Sequence, residues 1–335
     1  MITIKGYQIY AMKRLKRRAE RIGRLRLVVS ALSLCLIFEM AGSLTSISAQ
    51  LASGPDIHID DVARFYKLYE ATSERPSADQ LQHDYLDPGS PGLHHLADIR
   101  NVTGVSIAKA LAAHPEIFAD AKRCMTVLPR VRVRVAAALH RFAHLYPKAE
   151  FPAVTIAVSR GKPAGVADAW GVIIGLEATC AANYLNPNLE DRFVHGIAHE
   201  YAHVEQARQS PALYNKPEPT VLDSSLIEGA AEFTATLITG EVGFHSPFAP
   251  SAKAHEKEVE TQFVTDEGKT DLSQWIDNGT LTEPNDLGYW VGYRIVKSYY
   301  QHADDKHLAL REIIEMTDPK MFLAKSGWYP GIVLK

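Results

Sequence analysis

Two histidines four residues apart, His199 and His203, enclose a glutamate in the run His-Glu-Tyr-Ala-His, residues 199–203. On an α-helix, side chains four apart share a face with Cβ atoms about 5 to 6 Å apart, so both imidazoles can reach one metal ion at roughly 2.0 to 2.1 Å. Glu200 falls beside that face, where it can take a proton from a metal-activated water without filling a coordination position. A chain of this composition predicts about 0.04 chance occurrences of the pattern. The alternative is a surface helix carrying two incidental histidines. Against it, Val194, Ile197, Ala198, Tyr201, Ala202 and Val204 form an apolar face that can be buried while the ligands turn to a cleft.

A catalytic zinc takes three protein ligands and keeps one position open, and two His with one Glu is a known solution. The run Leu226-Ile227-Glu228-Gly229-Ala230-Ala231-Glu232-Phe233 is expected to open a second helix, with Glu228 as the third ligand. Small residues at 229–231 are expected to let this helix approach the metal helix. Glu232, one turn on, can accept the second ring N–H of a ligand histidine, His199 being the expected partner, and the alternative is a solvated carboxylate. A third histidine six residues after His203 is excluded, since positions 206 and 209 are both Gln. His195 reads as packing or support. His140 and His144 are also four apart, but with no acid between them they read as residues of a helix face.

The elements that must hold these groups follow from periodicity. From Asp60 to Pro147 the pattern is that of several helices: Val62, Phe65, Leu68 and Tyr69 recur at helical spacing, and Val131, Val135, Leu139, Phe142 and Leu145 form one stripe. Phe151 to Val158 and Trp170 to Leu176 read as two strands joined by the Gly/Pro-rich loop 160–165. A strand edge just before the metal helix could hold an extended peptide by main-chain hydrogen bonds. Residues 209–221 read as a loop. A helix from Asp286 puts Tyr289 and Tyr293 on one face, and residues 307–322 read as a closing helix and turn.

The N-terminus has a different character. Nine basic residues between Lys5 and Arg26 precede the apolar run Leu27–Phe38 and small residues to Gln50. This is the layout of a secretory signal over residues 1–49, with Met12 as an alternative start. The apolar run is shorter than the roughly 20 residues a membrane helix needs, so no permanent span is expected, the alternative being an uncleaved anchor. Cys35 lies inside the apolar run and reads as part of the discarded segment. Removing residues 1–49 takes away nine of 36 basic and two of 39 acidic residues, leaving 27 against 37 and a net charge near −10. Such a surface repels phosphate backbones, which excludes nucleic acid as the expected partner. The remaining pair, Cys124 and Cys180, is either bridged in an oxidising compartment or two buried thiols. Residues 50–335 suffice for one large domain or two lobes, a helical one (50–150) and one with the sheet and zinc helices (151–335).

The motifs together resemble the gluzincin clan of zinc metallopeptidases. With residues 85–93 (YLDPGSPGL), 174–177 (IGLE), 275–279 (WIDNG) and 286–294 (DLGYWVGYR), the chain is similar to a bacterial family described as predicted zinc-dependent proteases. The resemblance implies an α+β, mostly helical zincin-like fold with a small sheet beside the active-site helix. It implies Zn²⁺ as cofactor, held by His199, His203 and Glu228, with Glu200 as general base and a peptide or protein substrate. It further implies an oxyanion-stabilising group from a later helix, for which Tyr293 is the first choice, Tyr289 the second and Arg294 the third. For each tyrosine, aromatic packing is the competing role. A reading of another class is a zincin-shaped binding protein that keeps the metal without turnover, against which an intact Glu200 argues. The exported protein is expected to begin near Gln50; intact mass after alkylation without reductant checks this, and retention of residue 1 or 12 would make the segment an anchor.

Overall fold

The computed structural model describes residues 56–183, 186–240, 255–278 and 286–335. The signal reading of 1–49, Met12, Cys35 and Gln50, together with Gly279, lies outside them. Leu51–Lys335 forms one compact unit. It is an α+β fold, 64% helical, with a single small mixed sheet among the described residues. No helix among those residues is long and apolar enough to cross a membrane.

The chain opens with β1 (Ile57–His58), α1 (Asp60–Ala71), α2 (Ala78–Gln80, continued by a π-helical turn to Leu86), α3 (Pro91–Arg100), α4 (Gly104–Ala113), α5 (Pro115–Ala121) and α6 (Leu128–Leu145). Caps punctuate this helical run: Ser90 and Thr103 each accept an N–H of their own helix's first turn, and Pro91 takes a position where no N–H is needed. The stripe from Val131 to Phe142 is buried along α6, as its spacing predicts. The sheet follows with β2 (Val154–Ala157), β3 (Gly165–Asp168) and β4 (Gly171–Gly175), and then come α7 (Leu176–Ala181), α8 (Leu189–Gln209), α9 (Pro211–Tyr214) and α10 (Val221–Thr239). The chain closes with α11 (Glu256–Asp266), α12 (Leu287–His302), α13 (Lys306–Ile314) and α14 (Pro319–Lys325), so the single closing helix expected over 307–322 is two.

The sheet departs from a simple pair of strands. Its order is β1-β2-β4-β3, with β2 and β4 parallel (Val154 opposite Val172) and β3 antiparallel to β4 (Gly165 opposite Ile174). The expected loop thus ends in a third strand, which forms the sheet's edge. Its signal is weak because it is four residues long and begins with Gly. The Asp168 carboxylate accepts the Trp170 N–H at 2.7 Å, which closes the two-residue turn into β4.

Among the described residues, buried apolar side chains form two clusters. The first gathers α1 to α6, the sheet and α8, through Phe193, Ile197, Ala198, Tyr201 and Val204. The second gathers Leu213, α11, α12 and the C-terminal segment. Helix α10 serves both, giving Leu222, Leu226, Ala230 and Phe233 to the second and Ala235 and Ile238 to the first. Cys124 and Cys180 are bridged, with Cα atoms 6.1 Å apart.

Helix α10 starts five residues before the expected Leu226, because Thr220 and Asp223 form a capping box. Its small residues also serve a different neighbour. A Cβ on Gly229 would lie 2.1 Å from the Gly292 carbonyl carbon, and one on Gly292 would lie 1.7 Å from the Ser225 carbonyl oxygen. Gly229 therefore presses against α12 rather than the metal helix. Ser225 and Gly229 on one helix meet Gly288 and Gly292 on the other, each pair four apart and so on one face. Substituting Gly292→Ala forces the two backbones apart and should cost about 3 kcal/mol or more in urea unfolding; an unchanged midpoint would show that the helices separate freely.

Candidate metal centre

Helix α8 is buried on almost every side from Arg192 to Ala207. Its start is fixed by Asn188, whose side chain accepts the Asp191 N–H, and by ion pairs from Arg134 on α6 to Glu190 and Asp191. His199, Glu200 and His203 thereby stand on a rigid rod with its apolar stripe in the first core.

The structure brings the two imidazoles to Glu228 of α10. His199 Nε2 and His203 Nε2 lie 2.9 Å apart, and Glu228 Oε2 is 3.2 and 3.1 Å from them. The opposite ring nitrogens are engaged elsewhere. His199 Nδ1 is 2.9 Å from Glu232 Oε1, whose other oxygen is 3.1 Å from His195 Nε2; Glu232 and His195 are wholly inaccessible to solvent. Glu232 is therefore a buried carboxylate placed between two histidines, His199 and His195.

His203 Nδ1 lies 2.7 Å from Gln206 Oε1, while the Gln206 amide nitrogen donates to the Ile227 carbonyl at 2.9 Å. A carbonyl only accepts, so the –NH₂ end of Gln206 must face Ile227 and its oxygen must face His203. That makes Nδ1 a protonated nitrogen and turns Nε2 toward Glu228. Glu232 Oε1, 2.9 Å from His199 Nδ1, turns His199 Nε2 the same way. The two Nε2 atoms and Glu228 Oε2 then face one another at hydrogen-bond distance, a grouping that holds positive charge among them, carried as protons or as a metal ion. Two imidazole nitrogens and one carboxylate oxygen fit Zn²⁺.

Electrostatics agree. Burial alone would lower the His199 imidazole, but Glu228 and Glu232 outweigh it and hold it well above 6.5. Burial would raise Glu228, yet His203 and His199 bring it down to about 2. Each partner favours the other's charged form, so positive charge is stabilised at this point.

Glu200 points from α8 toward the sheet edge. A Cβ on Gly165 would lie 2.2 Å from Glu200 Oε1, so only glycine lets β3 run this close to the carboxylate. Burial raises the Glu200 carboxyl above its usual range, against the pull of His203 and His199. Across the site, the half-buried Tyr289 ring stacks on His199 at 6.4 Å between centroids, with its hydroxyl 3.4 Å from Asp277 Oδ1.

The two tyrosines stand at different levels of the site. Tyr293 is buried one turn farther along, against Phe233 and Trp290. Helices α10 and α12 advance side by side, with Gly288 level with Ser225 and Gly292 with Gly229. One turn, about 5.4 Å, therefore moves Tyr293 from the level of Glu228 to that of Glu232. Arg294 is turned away altogether: its guanidinium pairs with Glu256 and Glu260 and donates to the Ile332 carbonyl.

A mostly helical α+β chain with a buried two-His, one-Glu donor set has the make-up of a metalloprotein. Residues 178–317 match the family described as Predicted Zn-dependent protease (DUF2268), a stretch that includes every donor named above and agrees with the resemblance read from the sequence. No curated protein and no solved structure matches the chain.

Gln206, Gly165, Asp277 and Tyr214, whose ring lies 5.7 Å from that of His203, are residues around the site to which sequence reasoning assigned no role. Gln206 had an available signal, since it lies three residues past His203 on the same helical face. Asp277 lay in the quoted run 275–279 without a role, and Gly165 had no signal, because only the tertiary arrangement brings them to α8 and α12. We expect His199→Ala, His203→Ala and Glu228→Ala each to abolish zinc binding, and Gln206→Leu to weaken it about 10- to 100-fold. Affinity should also fall as pH drops, beginning above the ordinary histidine range, because His199 must lose its proton to bind and, against burial, Glu228 and Glu232 hold that proton more tightly than usual. Zinc titration against a chelator measures all of these, and an unchanged zinc content in Glu228→Ala would remove Glu228 from the set.

Proposed function

We propose that the protein is a zinc metallopeptidase of the gluzincin type that hydrolyses peptide bonds. The observation that carries this reading is the convergence of His199 Nε2, His203 Nε2 and Glu228 Oε2 within 3.2 Å of one another. Zinc held there supplies Lewis acidity, acidifying water and polarising the scissile carbonyl. Glu200 is the general base and then the proton donor to the leaving amine; its raised carboxyl pKa brings its basicity toward the operating pH. Close contact between Gly165 and Glu200 supports an extended peptide lying along the edge of β3.

Tyr289 is the group assigned to the developing oxyanion. Burial, Glu228 and Asp277 raise its phenol well above 10, so it stays a neutral donor. Its ring on His199 and its level beside Glu228 favour it over Tyr293. Export to the periplasm or the medium is part of the proposal, since the Cys124–Cys180 bridge suits an oxidising compartment.

Glu200→Gln should keep zinc and fold while losing about 10² to 10⁴ in kcat, because an amide cannot accept the proton. Tyr289→Phe should lose about 10² to 10³ and Tyr293→Phe little. A peptide-library digest with zinc content and melting temperature measured in parallel tests this. Equal cleavage by Glu200→Gln and the parent would sink the mechanism, and a zinc-loaded parent that cleaves no peptide would favour a binding role.

A further inference from the structure

The outer edge of β3 is not open along its length. Antiparallel pairs alternate between bonded and non-bonded. The Gly175 N–H donates to the Ala164 carbonyl at 2.9 Å, which makes that pair a bonded one and fixes the parity of the strand. Ala164, Val166 and Asp168 thus turn their main-chain groups toward β4, whereas Gly165 and Ala167 turn theirs outward. The outward direction at Ala167 is seen independently, because the Tyr214 hydroxyl donates to its carbonyl at 2.8 Å.

Tyr214 is held where it is. It ends α9, its N–H and that of Leu213 bond back to the Ser210 carbonyl, and Leu213 is buried in the second core. Its ring lies 5.7 Å from the His203 ring, so the side chain spans from the metal helix to the strand. A peptide pairing with β3 finds Gly165 beside Glu200 but meets the phenol at the next outward residue, roughly 6.8 Å away.

Resting on the peptidase reading, we propose that Tyr214 sets substrate length, closing the cleft two residues from the catalytic carboxylate. Antiparallel addition is the more stable pairing. In that direction the peptide enters from the Ala167 side with its N-terminus, so the blocked end is the N-terminal one. The site accepts peptides with one or two residues on the N-terminal side of the scissile bond and tolerates longer C-terminal parts. The substrate class is therefore free N-terminal ends or short peptides, not the middle of an extended chain.

The test uses the zinc-loaded full chain and two nested peptide series around one scissile bond, lengthened on the N-terminal or the C-terminal side. For the parent, KM should rise about tenfold once a third N-terminal residue is added, the factor expected for losing two main-chain hydrogen bonds, with little change on the C-terminal side. Tyr214→Ala should remove that rise, and Tyr214→Phe, which frees the carbonyl but keeps the ring, should remove less. Zinc content and melting temperature control for misfolding, with Tyr214→Phe as the milder variant. KM independent of N-terminal length in the parent, or a limit on the C-terminal side, overturns the proposal while leaving the peptidase reading intact. Zinc-loaded parent that cleaves neither series at any length overturns the peptidase reading and this proposal with it.

Discussion

Two imidazole nitrogens and one carboxylate oxygen turned toward one another at hydrogen-bond distance need positive charge among them, as protons or as a metal ion, and the rest of the molecule is arranged to keep them there. Each imidazole could escape by turning. Glu232 opposes this for His199, and Gln206 opposes it for His203 by engaging the opposite nitrogen. Gln206 also grips the main chain immediately before Glu228, so one amide registers both helices that carry donors. The support around the donors is as specific as the donors themselves.

Close approach of backbones does the remaining positioning. Where α10 meets α12 there is no room for a Cβ at Gly229 or Gly292, and where β3 meets α8 there is none at Gly165. The first contact brings Tyr289 level with Glu228; the second brings a strand edge to Glu200. Both depend on a missing side chain, and larger residues could be tolerated at neither without moving the chemistry.

What was legible in the sequence is what depends on spacing within one helix. The run 199–203, the turn from Glu228 to Glu232 and the stripe along α6 follow from a 3.6-residue period, and the α+β class follows from the order of such runs. The different levels of Tyr289 and Tyr293 were not legible, since residues four apart on one helix share a face but not a height against another helix. Strand β3 was hidden for a related reason: a short run beginning with glycine looks like loop until β4 pairs with it. Helix α10 began early because the Thr220–Asp223 cap lies outside the apolar pattern that defined it.

Division of the interior between two cores gives the site a role beyond chemistry. Both histidines project from a helix rooted in the first core, while Glu228 sits between Leu226 and Ala230, which belong to the second. An ion bound by all three would be a further link between two hydrophobic bodies that also meet through α10, α13 and Tyr300. Folding of the C-terminal half and metal loading become linked equilibria, each reporting on the other. With zinc as that ion, the protein's resistance to unfolding would become partly a function of the zinc supply of its compartment.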